Sequence, residues 1–142
     1  MIAIIKMYGE FLRVRQYIKN LLIFAPIFFS FSFFEYEKVL NGFFAFALFS
    51  IASSSIYILN DIYDIAEDKL HPEKKNRPIA AGKIKKNAAL IISILLMLLA
   101  LLFSFLFNLK VFYVIVSYIM VNILYSVRLK HIPILDIFVI SL

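Results

Sequence analysis

Long uninterrupted runs of apolar residues dominate the hydrophobic pattern of this chain. Charge-free stretches cover 40–59, 88–109 and 111–127, and each approaches the ~20 residues that a helix needs to cross a bilayer. A shorter apolar stretch, 21–34, reaches about that length when its flanks, which end in a Tyr on each side, are included. The pattern therefore predicts four membrane spans, over about 18–36, 39–59, 88–109 and 111–127.

A fifth apolar stretch begins at Ile132 and runs to the last residue, covering 132–142. It is about half the length of a membrane span, so it predicts the start of an incomplete fifth span. We interpret residues 1–142 as the N-terminal part of a single transmembrane domain that belongs to a longer protein. The predicted fold class is all-α, a polytopic transmembrane helical bundle that is truncated after about four complete spans.

Composition excludes an average soluble domain, because 63% of the residues are hydrophobic against roughly 45–50% in ordinary globular proteins. A large soluble helical core is the alternative, but several charge-free stretches of this length disfavour it. A cleaved signal peptide is also disfavoured, because no small-x-small cleavage site follows the first apolar run. There is no cysteine, which excludes disulfides.

The basic residues are distributed unevenly about the predicted spans. Of the fifteen Lys and Arg residues, only Lys38 and Lys110 lie between spans 1 and 2 or between spans 3 and 4. Because cytoplasmic loops carry the excess of positive charge, we expect a cytoplasmic N-terminus and a cytoplasmic loop over 60–87. The sequence thus predicts a multi-pass protein of a plasma (inner) membrane. Nucleic-acid binding is disfavoured, since the cations border the spans.

Acidic residues cluster where the second predicted span ends, in "LNDIYDIAEDKLHPEKKNRPIAAGKI" at 59–84. Asp61, Asp64 and Asp68 follow an i, i+3, i+7 spacing, which places them within an arc of about 60° if one helix carries all three. Crowded carboxylates repel one another, and a divalent cation removes that repulsion. Oxygen ligands without a nearby Cys or His suit Mg²⁺. A solvated polar helix end is the alternative interpretation.

Cations follow the acidic cluster within the same predicted loop: Lys74, Lys75, Arg77 and Lys83. Taken alone they fit an ordinary positive loop, but beside a magnesium site they suit a diphosphate, which needs both metal and cation contacts. Asp136 lies in the first turns of the fifth stretch, at the membrane depth predicted for the aspartate cluster. An ionisable group at that depth is a candidate for function.

The segment "NDIYDIAED" at 60–68 fits the N-D-x-x-D-x-x-x-D motif of the UbiA superfamily of membrane prenyltransferases. Within that superfamily, one subgroup is the decaprenyl-phosphate phosphoribosyltransferases. Two further segments resemble this subgroup: "RVRQYIKNLLIFAPIFF" at 13–29 and "YSVRLKHIPILDIFVISL" at 125–142. The resemblance covers nearly the whole chain. It implies a bundle of UbiA type, with nine helices around a central cavity and two acidic motifs that bind Mg²⁺ and diphosphate on the cytoplasmic face.

The resemblance also implies roles for particular residues. Asn60, Asp61, Asp64 and Asp68 match the first metal motif, whose three aspartates are expected to be catalytic, and Asp136 begins the second metal motif. The second motif usually reads D-x-x-x-D, but Ile140 stands at its last position here. Substrate binding is implied for a further set of residues: Lys19, Asn20, Lys75, Arg77, Tyr125 and Lys130.

The implied activity is Mg²⁺-dependent transfer of 5-phosphoribose from phosphoribosyl pyrophosphate to a polyprenyl (decaprenyl) phosphate, in a bacterial pathway that makes lipid-linked precursors of cell-wall arabinan. One alternative is an aromatic prenyltransferase of the same family, which joins a prenyl diphosphate to an aromatic acceptor in quinone or related lipid synthesis. A second is a non-enzymatic transporter subunit. The CDP-alcohol phosphatidyltransferases are disfavoured, because their D-G-x-x-A-R motif is absent. Half a cavity cannot enclose a substrate, so we expect residues 1–142 alone to be inactive.

Overall fold

The computed structural model describes residues 2–127, which form α-helices, short 3₁₀ turns and connecting segments, with no strand in that part of the chain. The all-α fold class is confirmed. The predicted fifth stretch, 132–142, lies outside the described residues. The helices are α1 Ile2–Phe11, α2 Tyr17–Asn20, α3 Ala25–Phe29, α4 Tyr36–Tyr63, α5 Ile65–Leu70, α6 Lys86–Phe107 and α7 Leu109–Val127. The 3₁₀ turns are Val14–Gln16, Leu21–Phe24 and Lys74–Asn76.

Three of these helices, α4, α6 and α7, are long and apolar enough to cross a membrane. With 28 residues, α4 is about 42 Å long, which exceeds the ~30 Å hydrocarbon core of a bilayer. The predicted span 39–59 lies inside α4, and residues 60–63, predicted to be loop, continue the same helix. We call residues 60–63 the polar end of α4.

Asn108 separates α6 from α7, so α6 ends and α7 begins two residues before the predicted bounds of 109 and 111. α6 also begins two residues before its predicted span. The backbone of Asn108 is extended, with φ −165° and ψ 127°, which ends α6 at Phe107. Its side-chain Oδ1 accepts a hydrogen bond from the backbone N–H of Lys110 at 2.8 Å. That bond satisfies one of the free N–H groups that begin α7.

The first predicted span, 18–36, is not one continuous helix. Helical structure ends with α3 at Phe29, and residues 30–35 form a turn in which Phe31 has a φ of +52°. Lys38 Nζ donates to Ser32 Oγ at 3.2 Å and to Glu35 Oε1 at 2.8 Å, which ties the turn to the start of α4. Residues 30–35 therefore form the connection between α3 and α4, and Tyr36, predicted to end the first span, begins α4.

Small residues bring α4, α6 and α7 together. On α6, the fully buried positions are Ala89, Ser93, Ala100 and Ser104. Small side chains allow two helices to approach closely in a membrane protein, and Ser93 Oγ donates to the carbonyl oxygen of Ser55 on α4 at 2.8 Å. The outer faces of α6 and α7 remain apolar and exposed, as expected for surfaces that contact lipid or other protein segments.

An apolar cluster lies around the polar end of α4. Phe11 of α1 packs there with Ile58 and Ile62 of α4, Ile79 of the following loop and Ala89 of α6. Residues 78–80 are all buried, so this loop is packed against the helices. The cluster thereby fixes the segments that carry the charged residues described below.

At Gly42, α4 is approached closely by residues 13–29, which we call the first segment. A methyl group on Gly42 would lie 2.8 Å from Cδ1 of Ile27 and 3.1 Å from Cε1 of Phe24. We expect Gly42→Ala to change the free energy of unfolding by less than about 1 kcal/mol, since the end of Ile27 can move and Ala favours the helix. Gly42→Leu should lower it by about 1–3 kcal/mol, because the larger side chain displaces α3.

Thermal unfolding of the two variants in one detergent checks this expectation. Ala47→Leu is the matched control, because Ala47 lies on an exposed part of α4. If Gly42→Leu unfolds at the same temperature as Ala47→Leu, α3 is not held against α4 in the way described.

Candidate functional site

Two buried aspartates and one arginine meet at the polar end of α4. The same guanidinium nitrogen of Arg77, Nη1, donates to Asp61 Oδ1 at 3.1 Å and to Asp68 Oδ2 at 2.7 Å. The Asp61 and Asp68 side chains are 5% and 2% exposed, and that of Arg77 is 22% exposed. The two carboxylates, seven positions apart in sequence, therefore converge on one point that a cation occupies.

Arg13 is a second cation at this site. Its Nη2 donates to Asp61 Oδ1 at 2.5 Å and its Nε donates to Asp61 Oδ2 at 3.3 Å. Two parallel bonds between a guanidinium and a carboxylate form a geometrically specific ion pair. Arg13 has a left-handed backbone, with φ 56° and ψ 38°, a conformation that is uncommon for residues other than Gly. It forms the corner between α1 and the Val14–Gln16 turn.

The segment after Arg13 docks antiparallel along α4. Tyr17 donates its hydroxyl hydrogen to Ser54 Oγ at 2.6 Å, and Ser54 in turn donates to the Leu12 carbonyl oxygen at 2.7 Å. Asn20 Nδ2 donates to Ser50 Oγ at 3.0 Å. As residue numbers increase along the first segment, the residue numbers of the partners on α4 decrease, which defines the antiparallel direction. This series of polar contacts holds Arg13 in place.

Sequence reasoning counted Arg13 only as a charge that sets topology and did not assign it to the site. A signal was present, because Arg13, Tyr17 and Asn20 have the 4-and-3 spacing of one helix face. A polar stripe on a segment that borders a membrane indicates contact with another polar surface.

Asp64 interrupts the single stripe of aspartates that the spacing predicted. α4 ends at Tyr63, Asp64 has φ −90° and ψ 9°, and α5 starts at Ile65. The Asp64 N–H donates to the Asn60 carbonyl oxygen at 2.9 Å, and the Asp68 N–H donates to the Asp64 carbonyl oxygen at 2.8 Å. Asp61 and Asp68 thus lie on two helices joined at Asp64, and Arg77 bridges them across this junction.

Asn60 connects α4 to α7. Its side-chain Oδ1 lies 2.5 Å from the hydroxyl oxygen of Ser126, which donates the hydrogen bond. Tyr125, the residue before it, is half-buried in α7. A cavity of about 120 Å³ opens beside this contact, lined by Ile56, Leu59, Asn60, Tyr63, Ile123 and Ser126. Asn60 therefore contacts α7 at the residue that follows Tyr125.

The remaining predicted substrate residues are placed differently. Lys19 and Lys75 are exposed. Asn20 is buried, and its side chain bonds Ser50 and Ser53 of α4. Since Ser53 lies about 12 Å before Asp61 along α4, Asn20 contributes to packing there and not to the aspartate cluster. Lys130 and Asp136 lie outside the described residues.

The aspartate pair fits a magnesium ion by its chemistry. Both side chains offer hard carboxylate oxygens, and both point at one cation position, which the Arg77 guanidinium fills in this structure. Across residues 2–127, no three His, Cys, Asp or Glu side chains come together as a set that could hold a metal. Mg²⁺ needs no such set, since one or two carboxylates commonly hold it together with waters and substrate phosphates.

The structure contains three helices of membrane-spanning length and a buried carboxylate–guanidinium cluster at the end of one of them, α4. These features define an integral membrane protein of the polytopic helical class. The profile of the UbiA prenyltransferase family matches residues 21–142. The chain belongs to this family.

Similar curated proteins come from bacteria and archaea. The chain is 38% identical over 133 residues to decaprenyl-phosphate phosphoribosyltransferase of Mycolicibacterium smegmatis, covering 91% of the chain and 42% of that protein. It is 32% identical over 134 residues to decaprenyl-phosphate phosphoribosyltransferase of Mycobacterium tuberculosis, covering 92% and 44%. A shorter match, 40% over 63 residues, covers 44% of the chain and 22% of digeranylgeranylglyceryl phosphate synthase of Sulfurisphaera tokodaii. The chain thus spans about two-fifths of the length of the first two relatives.

Proposed function

We propose that the protein transfers 5-phosphoribose from phosphoribosyl pyrophosphate to a polyprenyl phosphate, and that the reaction depends on Mg²⁺. The observation that carries this proposal is the pair of buried aspartates held by Arg77 at the polar end of α4. The names of the relatives that match over nine-tenths of the chain support the choice of donor and acceptor. A longer protein that includes residues 1–142 is the species to which the proposal applies.

Asp61 and Asp68 are the residues that would hold the magnesium ion, with Asn60 and Asp64 beside them in the matched motif. When bound, the ion supplies positive charge that stabilises the diphosphate as it leaves. Asp136, outside the described residues, is proposed to contribute from the second motif. The carboxylates need both burial and convergence for this role, and Asp61 and Asp68 have both.

Arg77 is proposed to change partners when the donor binds. Its guanidinium now bonds two carboxylates, and a diphosphate placed beside those carboxylates offers oxygen acceptors to the same N–H groups. Lys75, exposed on the Lys74–Asn76 turn, can reach the same anion from the solvent side. The two side chains thereby bind the leaving group and orient the donor.

The bond changes need no strong general base. The bond between C1 of the ribose and the diphosphate oxygen breaks, and the bond from C1 to a phosphate oxygen of the lipid forms. The attacking oxygen is already anionic, so no proton has to be removed from it. The work of the chain is therefore alignment and stabilisation of charge on the leaving group. Tyr125 and Lys130 are proposed to border the acceptor site.

The proposed location of the reaction is the cytoplasmic face of a bacterial plasma membrane. The excess of Lys and Arg in the N-terminal segment and in the loop after α4 supports this orientation. A cytoplasmic face would also give a soluble sugar-phosphate donor access to the site.

A direct assay tests the activity. We expect the protein, expressed from its whole reading frame in membranes, to make polyprenylphosphoryl-5-phosphoribose from phosphoribosyl pyrophosphate and polyprenyl phosphate, with product lost when Mg²⁺ is chelated. Asp64→Asn should abolish turnover with the protein still in the membrane. The control is Glu37→Gln, at the opposite end of α4. Full activity of Asp64→Asn, or a flux of substrate without product, counts against the proposal.

A second candidate is transfer of a prenyl group from a prenyl diphosphate, since the match to the archaeal synthase includes that branch of the family. In this case the same aspartates would serve a lipid diphosphate. The same membranes supplied with prenyl diphosphate and a hydroxybenzoate, or with prenyl diphosphate and a glyceryl phosphate lipid, separate the two candidates by the product formed.

A further inference from the structure

A cavity of about 440 Å³ is lined by both Arg13 and Arg77, and neither Asp61 nor Asp68 is among its lining residues. It is an open cleft between the end of α1, the Val14–Gln16 turn and the loop at 73–78. Its charged lining residues are Lys6, Glu10, Arg13, Arg15, Glu73 and Arg77. The volume lies in the range of small-molecule sites, which is ~300–1,000 Å³.

The lining has the chemistry of an anion site. Four cationic and two acidic residues line the cavity, and the amides of Gln16 and Asn76 add hydrogen-bond donors. Guanidinium and ammonium groups together with amide donors are the groups that bind phosphate oxygens. Val14 and Pro78 provide apolar surface beside them, so the cavity suits a phosphate carried on a less polar body.

The cavity is built from fixed parts. Arg13 and Arg77 both pair with Asp61, which holds together two segments that lie about 60 positions apart. Phe11 and Ile79 are buried in the cluster that packs both segments on α4. An ordinary solvated basic loop lacks such support, because its lysines extend separately into water.

We propose that this cavity binds a phosphate monoester, at a site next to the aspartate pair. The assignment of its ligand rests on the proposed function, which involves two such groups: the 5-phosphate of the sugar donor and the phosphate of the lipid acceptor. Arg13 and Arg77 line the cavity and also contact the aspartates. A single side chain, that of Arg13 or Arg77, can therefore contact both a ligand in the cavity and the aspartates beside which the diphosphate is proposed to bind.

Binding measurements on the protein in phosphatidylcholine nanodiscs test this site. The probes are ribose 5-phosphate, a polyprenyl monophosphate placed in the bilayer, and pyrophosphate with Mg²⁺. The variant is Lys6→Gln with Arg15→Gln, both exposed cavity residues with no contact to Asp61 or Asp68 in the described contacts. The matched control is Lys85→Gln with Lys86→Gln, both exposed and outside the lining.

We expect the cavity variant to bind one phosphate monoester at least about tenfold more weakly, since each lost charge-assisted contact costs roughly that factor or more. The control should bind as the unaltered protein does. If ribose 5-phosphate shows the loss, the cavity holds the donor's sugar phosphate, and if the polyprenyl monophosphate shows it, the cavity holds the acceptor.

Equal affinity of the cavity variant and the control for both monoesters overturns the proposal, as does the absence of monoester binding to the unaltered protein. The pyrophosphate arm reports on the aspartate site separately. If Asp61→Asn removes pyrophosphate binding and the cavity variant keeps it, the proposed function stands even when the cavity binds no phosphate monoester. Absence of Mg²⁺-dependent pyrophosphate binding counts against the proposed function, whatever the monoesters do.

Discussion

Arg77→Gln is expected to lower the free energy of unfolding by about 3 kcal/mol. The reason is the burial of Asp68, whose side chain is 2% exposed and pairs with Arg77 at 2.7 Å. Removing one partner of a buried ion pair leaves the other charge without compensation, which typically costs 3–5 kcal/mol. The partial exposure of Arg77 places the expected value at the lower end. Thermal or denaturant unfolding in a mild detergent measures it.

A double-mutant cycle gives this expectation a sharper form. Asp68→Asn alone should cost less than Arg77→Gln, because Arg77 keeps its contact with Asp61. The double variant should then be more stable than the sum of the single effects predicts, by about 1–2 kcal/mol. Lys38→Gln is the control, since its pair with Glu35 is 55% exposed on both sides and should be worth less than about 1 kcal/mol. Additive effects at Arg77 and Asp68 would contradict the bridging role.

Asp61→Asn is expected to reduce turnover by about 10²–10³-fold, the loss seen when one preorganised electrostatic group is removed from an active site. Asp61 accepts hydrogen bonds from both Arg13 and Arg77, so its removal alters the contacts of two cations at the site. Product formation from phosphoribosyl pyrophosphate and polyprenyl phosphate is the measurement, with the unfolding temperature recorded for the same preparation.

Two comparisons make the Asp61 result interpretable. Glu37→Gln removes an exposed carboxylate from the other end of α4 and should leave turnover unchanged. Raising Mg²⁺ should not restore Asp61→Asn if the carboxylate itself is required. Turnover of Asp61→Asn within about threefold of the unaltered protein, at an unchanged unfolding temperature, would contradict the assignment of Asp61 to the active site.

The long helices followed from the sequence because a bilayer demands about 20 apolar residues in succession, and α4, α6 and α7 satisfy this condition. The first segment did not follow in the same way. Its apolar residues are as numerous, but the way in which Leu21–Phe24 and α3 pack on α4 depends on contacts between residues far apart in sequence, which no local pattern encodes. Gly42 and Ile27 illustrate this, since their close contact joins residues fifteen positions apart.

The candidate site was predicted in part. The i, i+3, i+7 spacing indicated the acidic cluster, and the loop that follows it indicated nearby cations for a diphosphate, Arg77 among them, but not the ion pairs of Arg77 with Asp61 and Asp68. The spacing treated residues 61–68 as one helix, however, and the break at Asp64 changes which carboxylates face each other. Arg13 was not assigned because its contact with Asp61 spans 48 positions. Such a contact depends on the tertiary docking of the first segment.

The antiparallel docking of the first segment on α4 has a consequence for biogenesis. Tyr17 and Asn20 obtain their side-chain partners from Ser54 and Ser50, which are synthesised 37 and 30 residues later. Until the ribosome has made those serines, the nascent first segment presents unsatisfied polar groups at the translocon. We therefore expect the two segments to leave the translocon together as a helical hairpin and not one after the other.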